Sequence, residues 1–302
     1  MKTRLFLVLL LVASELLHAQ QTQRDWANWY YSAAEREETD LQAVILEDWY
    51  KADSTDAEYY VAHFNFFVQQ ARQELLMLNE TAPEGEALEL QQNDSVKGYL
   101  SSQLYYDEAL VRQGIDVLSK GISLHPKRLD MHFGRIYMLG QISDWTPFTE
   151  YILNTLKLGS EIGYQWTWSN HQPLEDGAGF MRDAIQDYIV QLYNTEADSL
   201  LSNIRRIAES VLASNPEHVE SLVNLALVDI MESRYRDALK KLQLAEALSP
   251  QDPIVLVNTA QTYERQGDSR RAILYYKKLK AVDPEEYGAY ADSKTSALKK
   301  KK

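Results

Sequence analysis

The chain has 302 residues, 45% of them apolar and 11% aromatic, with 31 basic against 44 acidic side chains and a net charge of −13. That apolar content suffices for a large core and excludes wholesale disorder, while the acidity excludes phosphate-backbone recognition, which needs clustered Lys and Arg. Zero cysteines remove disulfides, thiolate catalysis, zinc ribbons and a lipid anchor on cysteine together.

Residues 1–19 read as a secretory signal peptide, because Lys2 and Arg4 precede the apolar run Leu5–Ala13 and Ala19 offers a cleavage point. The run is far shorter than the ~20 residues a membrane span needs. The mature chain is therefore expected to be periplasmic or secreted, with no membrane span and no lipid anchor. From 20 to 158, apolar residues recur at helical spacing. Trp26, Trp29, Tyr30, Ala33 and Ala34 form one stripe, and Leu41, Val44, Ile45 and Trp49 the next. Thr55 and Glu58 have capping-box spacing before the helix holding "AHFNFFV". Residues 79–97 carry no aromatic and many acids, which predicts a mobile surface loop. "GIDVLSKGISLHPKRLDMHFGRIYMLG" then reads as a helix, a His125-Pro126 junction and a second helix, with Gly114 and Gly121 as small residues on either side of Leu118. His63-Phe64 recurs as His132-Phe133, and Thr146-Pro147 opens a further helix.

Residues 159–179 interrupt the helical pattern with "GYQWTWSNHQP". If this backbone is extended, the alternation of Tyr164, Trp166 and Trp168 with polar residues places three rings on one side. Two roles are open. The rings fill the gap where irregular upstream helices meet regular downstream ones, or they form a platform for a sugar or peptide with Asn170, His171 and Asp176 supplying polar contacts.

Beyond this segment, Ile185, Ile189 and Leu192, then Ile204, Ala208 and Val211, give a helix pair over 180–216, with Thr195 and Asp198 spaced as a capping box. Asn215-Pro216, Ser249-Pro250 and Asp283-Pro284 follow at one constant interval, and a fixed period of this size is the mark of a repeat array. The prolines are expected in the first helical turn, each after a capping residue. Corresponding residues recur between 217–250 and 251–284: Leu222 and Leu256, Val223 and Val257, Asn224 and Asn258, Ala226 and Ala260, Ala238 and Ala272, Leu242 and Tyr276. Gly267-Asp268-Ser269 marks the turn within the second unit, and Ser233 stands as a cap in the first. Residues 285–302 read as a capping helix with a basic tail.

On this period and these residues, the stretch resembles the tetratricopeptide repeat (TPR) family, of an exported bacterial type. One such unit cannot bury its apolar stripe alone, so further pairs are expected upstream. The fold class expected is all-α: a right-handed, TPR-like α-solenoid of about six antiparallel helix pairs with a terminal capping helix. The resemblance implies a concave groove lined by the first helix of each pair. Its partner-binding residues are then Val223, Asn224, Leu227, Val257, Asn258 and Gln261, with Phe133 and Tyr137 further upstream. Val223 and Val257 stand where a carboxylate clamp needs lysine, which disfavours capture of a partner's C-terminus.

Chemistry is sparse by comparison. The six histidines show no metal-ligand spacing, "GSEIG" at 159–163 misplaces the serine for a nucleophile elbow, and no phosphate loop occurs. The expectation is a non-enzymatic scaffold with no cofactor and no metal that binds a peptide or protein partner in the groove. The alternative is carbohydrate or small-ligand binding at the Trp-rich segment 163–173.

Overall fold

Small residues decide which helices of this chain touch. The computed structural model describes residues 25–300 except 84 and 94, and the expected signal peptide over 1–19 lies outside the described residues. The elements run α1 (25–35), α2 (Thr39–Ala52), α3 (Ala57–Ala71), β1 (Arg72–Asn79), β2 (Leu88–Gln92), β3 (Ser95–Tyr106), α4 (Glu108–Leu124), α5 (Leu129–Gln141) and α6 (Trp145–Glu161). After the aromatic segment come α7 (Gly177–Asn194), α8 (Leu201–Ser214), α9 (Val219–Met231), α10 (Tyr235–Leu248), α11 (Pro253–Arg265), α12 (Ser269–Val282) and α13 (Pro284–Lys300). The helical framework is TPR-like. It divides into two compact units, Met1–Asp144 with Gln165–Glu175, and Trp145–Tyr164 with Asp176–Lys302.

In the first unit α3 and α4 are the tightest pair. Gly114 and Gly121 face α3 so closely that a Cβ on Gly121 would lie 2.6 Å from Tyr60 Cβ, and one on Gly114 would lie 3.1 Å from Phe67 Cβ. The chain leaves this pair at Ala71 and returns at Asp107, whose N–H donates to the Ala71 carbonyl. Between these points lies a three-stranded antiparallel sheet of order β1-β3-β2, and this corrects the expectation of a loop over 79–97. α3 is capped by Asp56, which accepts from the Glu58 N–H, whereas Thr55 turns back to Asp53. An aspartate in the right backbone conformation displaces the predicted Thr55–Glu58 box.

In the second unit the two regular repeats are α9/α10 and α11/α12. Ala226, Ala238, Ala260 and Ala272 are fully buried, so the helices of each pair approach at alanine while Leu222, Leu242, Leu256 and Tyr276 fill the space around them. Gly267 takes a left-handed φ of 83° in the second turn, and Ser233 takes the equivalent position at 61° in the first. Ser233 is thus a turn residue rather than a cap. Pro284 does begin α13, but Pro216 and Pro250 lie in turns before α9 and α11, which are capped instead by His218 and Asp252. Thr195 closes α7 through the Leu192 carbonyl, and α8 starts without a side-chain cap. α13 places Ala291 and Leu298 in the core that α12 would otherwise expose.

Candidate functional site

The residues expected to line a groove divide between the two units. Val223, Asn224, Leu227, Val257, Asn258 and Gln261 lie on α9 and α11 of the second. Phe133 and Tyr137 lie on α5 of the first. Helical spacing puts Val223, Leu227 and Met231 along one face of α9, and Ile254, Val257, Asn258 and Gln261 along one face of α11. Val223 and Asn224 are buried, and Leu227, Val257, Asn258 and Gln261 are half-buried. Met231 and Ile254 are 45% and 50% exposed.

Polar groups of this face are used within the chain. Asn224 Nδ2 donates to Gln186 Oε1 of α7 at 2.8 Å, and the Tyr193 hydroxyl donates to the Asn224 carbonyl at 2.9 Å. Asn258 Nδ2 donates to the Ile254 carbonyl one turn back, and Gln261 Nε2 donates to the Tyr290 hydroxyl of α13. The amides of Asn224 and Gln261 thus hold neighbouring helices together. What the face offers outward is apolar: Leu227, Met231, Ile254 and Val257.

The aromatic segment departs from the expected geometry. Tyr164 has a left-handed φ of 57°, so the backbone is not extended through all three aromatic positions. Trp166 is 1% exposed and meets His132 edge-on at 5.5 Å, while half-buried Trp168 meets Phe133 at 6.2 Å. Backbone pairing replaces a sheet. The Thr167 N–H donates to the Lys127 carbonyl, the Leu129 N–H to the Thr167 carbonyl, and the Leu174 N–H to the Trp166 carbonyl. Asn170 and His171 are exposed, both with φ of 55°. A platform of two tryptophans is therefore not formed, because one of them is core.

A charged network beneath this segment escaped the sequence reading. Arg128, at the turn between α4 and α5, has a side chain only 1% exposed. Its Nη1 donates to Glu58 Oε1 at 2.6 Å, and its Nε and Nη2 grip Asp130 at 2.9 and 2.7 Å. Glu58 Oε1 also accepts from the Asn170 N–H at 2.7 Å. One carboxylate thus ties the start of α3 to both the α4–α5 turn and the aromatic segment. The hint in the sequence was weak: a basic and an acidic residue two apart beside a His-Pro junction.

His132 is buried against Trp166 and donates from Nε2 to the Pro126 carbonyl at 3.0 Å. Burial pushes its pKa down to about 4 from the ordinary 6.5. The unfolded chain takes up this proton near pH 6.5 and the folded chain only near pH 4, so its contribution is intact above 6.5 and falls as pH drops. At pH 5 the expected loss is about 2 kcal/mol, from ~1.4 kcal/mol per pH unit. Urea titrations at pH 7.5 and 5.0 check this, and His132→Gln is expected to shrink the difference by about that share, leaving what His63, His171 and His218, also held down by burial, contribute.

An apolar cleft of about 330 Å³ opens between α2 and α3, lined by Ala43, Leu46, Tyr50, Tyr59, His63 and Phe66. Glu47 and Lys51 also line it and pair with each other at 2.7 Å, and the Tyr59 hydroxyl meets His63 Nδ1 at 2.8 Å.

No family model matches the chain, and no curated protein matches it. Solved structures do align. PilW, a type IV pilus biogenesis factor, is 11% identical with a TM-score of 0.42, over 92% of this chain and 98% of that one. YrrB, a TPR protein with an unusual peptide-binding site, is 12% identical with a TM-score of 0.42, over 82% and 97%. The Yersinia enterocolitica type III secretion chaperone SycD, in complex with a peptide of the translocator YopD, is 10% identical with a TM-score of 0.35, over 39% and 95%. Among the described residues, no helix is long and apolar enough to cross a membrane.

Proposed function

We propose that this chain is a non-catalytic, exported scaffold that holds a peptide or partner protein along the first-helix face of α9 and α11. The supporting observation is the chemistry of that face: each of its three amides donates an N–H within the chain, and Leu227, Met231, Ile254 and Val257 remain open or half-open without any charge among them. Such a face suits an amphipathic helix or an apolar peptide better than an acidic tail. In any such contact a few well-packed residues near its centre carry most of the binding energy.

A photo-crosslinking amino acid placed at 231 or 254 tests the reading in extracts of the native organism. The expected result is a discrete adduct from either position and none from position 244, an exposed site on α10. Met231→Glu combined with Ile254→Glu is expected to abolish the adduct formed from a crosslinker at 227. Equal adducts from 231 and 244 would overturn the assignment.

A further inference from the structure

Face by face, the sheet between α3 and α4 is two different surfaces. In an antiparallel pair directly opposed residues share a side, and the register opposes Leu76 to Ser102, Leu78 to Leu100, Glu74 to Leu104, Leu88 to Leu100 and Leu90 to Gly98. The even-numbered side therefore collects Leu76, Leu78, Leu88, Leu90, Leu100 and Leu104. The odd-numbered side carries Gln73, Glu89, Tyr99, Ser101, Gln103 and Tyr105 beside Leu75 and Met77, and there Asn79 Nδ2 donates to Ser101 Oγ at 2.9 Å. The two sides differ in degree, the even-numbered one aliphatic through its middle and the odd-numbered one mixed, with Leu75, Met77 and Tyr105 among its polar residues. Yet among the described residues the aliphatic side stays open: Leu76, Leu78 and Leu88 are 72%, 72% and 70% exposed.

We propose that a second copy of this chain covers that aliphatic side, the two sheets packing face to face about a twofold axis through the middle of β3. Three features bear on the choice of occupant. An identical sheet has matching length and matching twist, so the pair can settle at the small crossing angle of an aligned sandwich, which the twist itself sets. Charge bears on the membrane alternative, although it also makes two copies repel at long range. The chain is acidic overall, and residues 72–106 hold six acids against Arg72 and Lys97, which opposes an anionic membrane, whereas the aliphatic side has no charge inside the rim set by Glu74. Area is the third. Three strands ~4.8 Å apart and about eight residues long present roughly 400 Å² of plane per copy, which puts two copies, once side-chain relief is added, near the lower edge of specific interfaces. The dimer is thus expected to dissociate in the micromolar range.

Sedimentation velocity on the full chain from about 1 to 200 µM brackets that range. A monomer–dimer equilibrium is expected, and Leu76→Glu with Leu88→Glu is expected to weaken it at least about 100-fold, since buried like charges cost several kcal/mol. A second measurement does not depend on that variant folding. In a chain without cysteine, Ser102→Cys places a thiol at the middle of the aliphatic side and Gln103→Cys places one on the other. With sheets ~10 Å apart, a short bismaleimide should join copies through position 102 and not 103. A monomer at every concentration, or equal crosslinking from 102 and 103, overturns the proposal. So does binding to vesicles of equimolar phosphatidylcholine and phosphatidylglycerol that the Leu76→Glu, Leu88→Glu variant loses.

Discussion

Trp166→Ala is expected to lower the free energy of unfolding by about 3–5 kcal/mol, the loss typical of a large aromatic removed from a core. The ring is 1% exposed, packs on His132, and precedes Thr167, whose N–H and carbonyl both pair with the α4–α5 turn, while the Trp166 carbonyl accepts from Leu174 within the segment. Its indole N–H meets no acceptor among the described residues. Trp166→Phe, which removes that buried donor along with part of the ring, is therefore expected to lose much less than the alanine variant. Urea unfolding of both variants checks the order. If Trp166→Ala unfolds like the parent, the ring is not part of the core and a ligand platform regains its case. Trp168, half-buried and edge-on to Phe133, should give a smaller effect under the same substitution.

Arg128→Met should be comparably damaging for a different reason. Removing one partner of a buried ion pair costs about 3–5 kcal/mol, because the charges left behind have lost both water and counter-charge. Here Glu58 and Asp130 would be stranded together, with side chains only 17% and 11% exposed. Glu58 also receives the Asn170 N–H, so the aromatic segment should loosen with the pair. Two readouts separate this from simple loss of packing. Protease cleavage should appear near Asn170 before the chain unfolds, and the triple variant Arg128→Met, Glu58→Gln, Asp130→Asn should recover a good part of the lost stability. A triple variant no more stable than Arg128→Met alone would show that packing, not stranded charge, sets the cost.

The same contrast between local and distant causes separates what was legible in the chain from what was not. The constant interval between Pro216, Pro250 and Pro284, and the pairing of Ala226 with Ala238 and of Ala260 with Ala272, announced the helix pairs of the second unit. Gly114 and Gly121 announced the close approach of α4. Helical periodicity and small-residue placement act within one or two helical turns, so sequence alone displays them. The sheet was hidden. β1 is "RQELLMLN", built of residues that favour helices at least as well as strands and lacking β-branched side chains. Only its pairing with β3 makes it a strand.

The groove residues show an intermediate case. Sequence placed Asn224 and Gln261 on the first helices of the two repeats, but their amides had two possible destinations, a bound peptide or a neighbouring helix, and each donates to a neighbouring helix, at Gln186 and Tyr290. Spacing along one stretch of chain was enough to fix the repeat, its helix pairs and the points where helices meet. The strand identity of 72–79, the burial of Trp166 and the joining of Glu58, Arg128 and Asn170 needed the folded molecule. Each depends on groups distant in the chain, up to 112 residues apart, whose mutual attraction exists only once folding has brought them into contact.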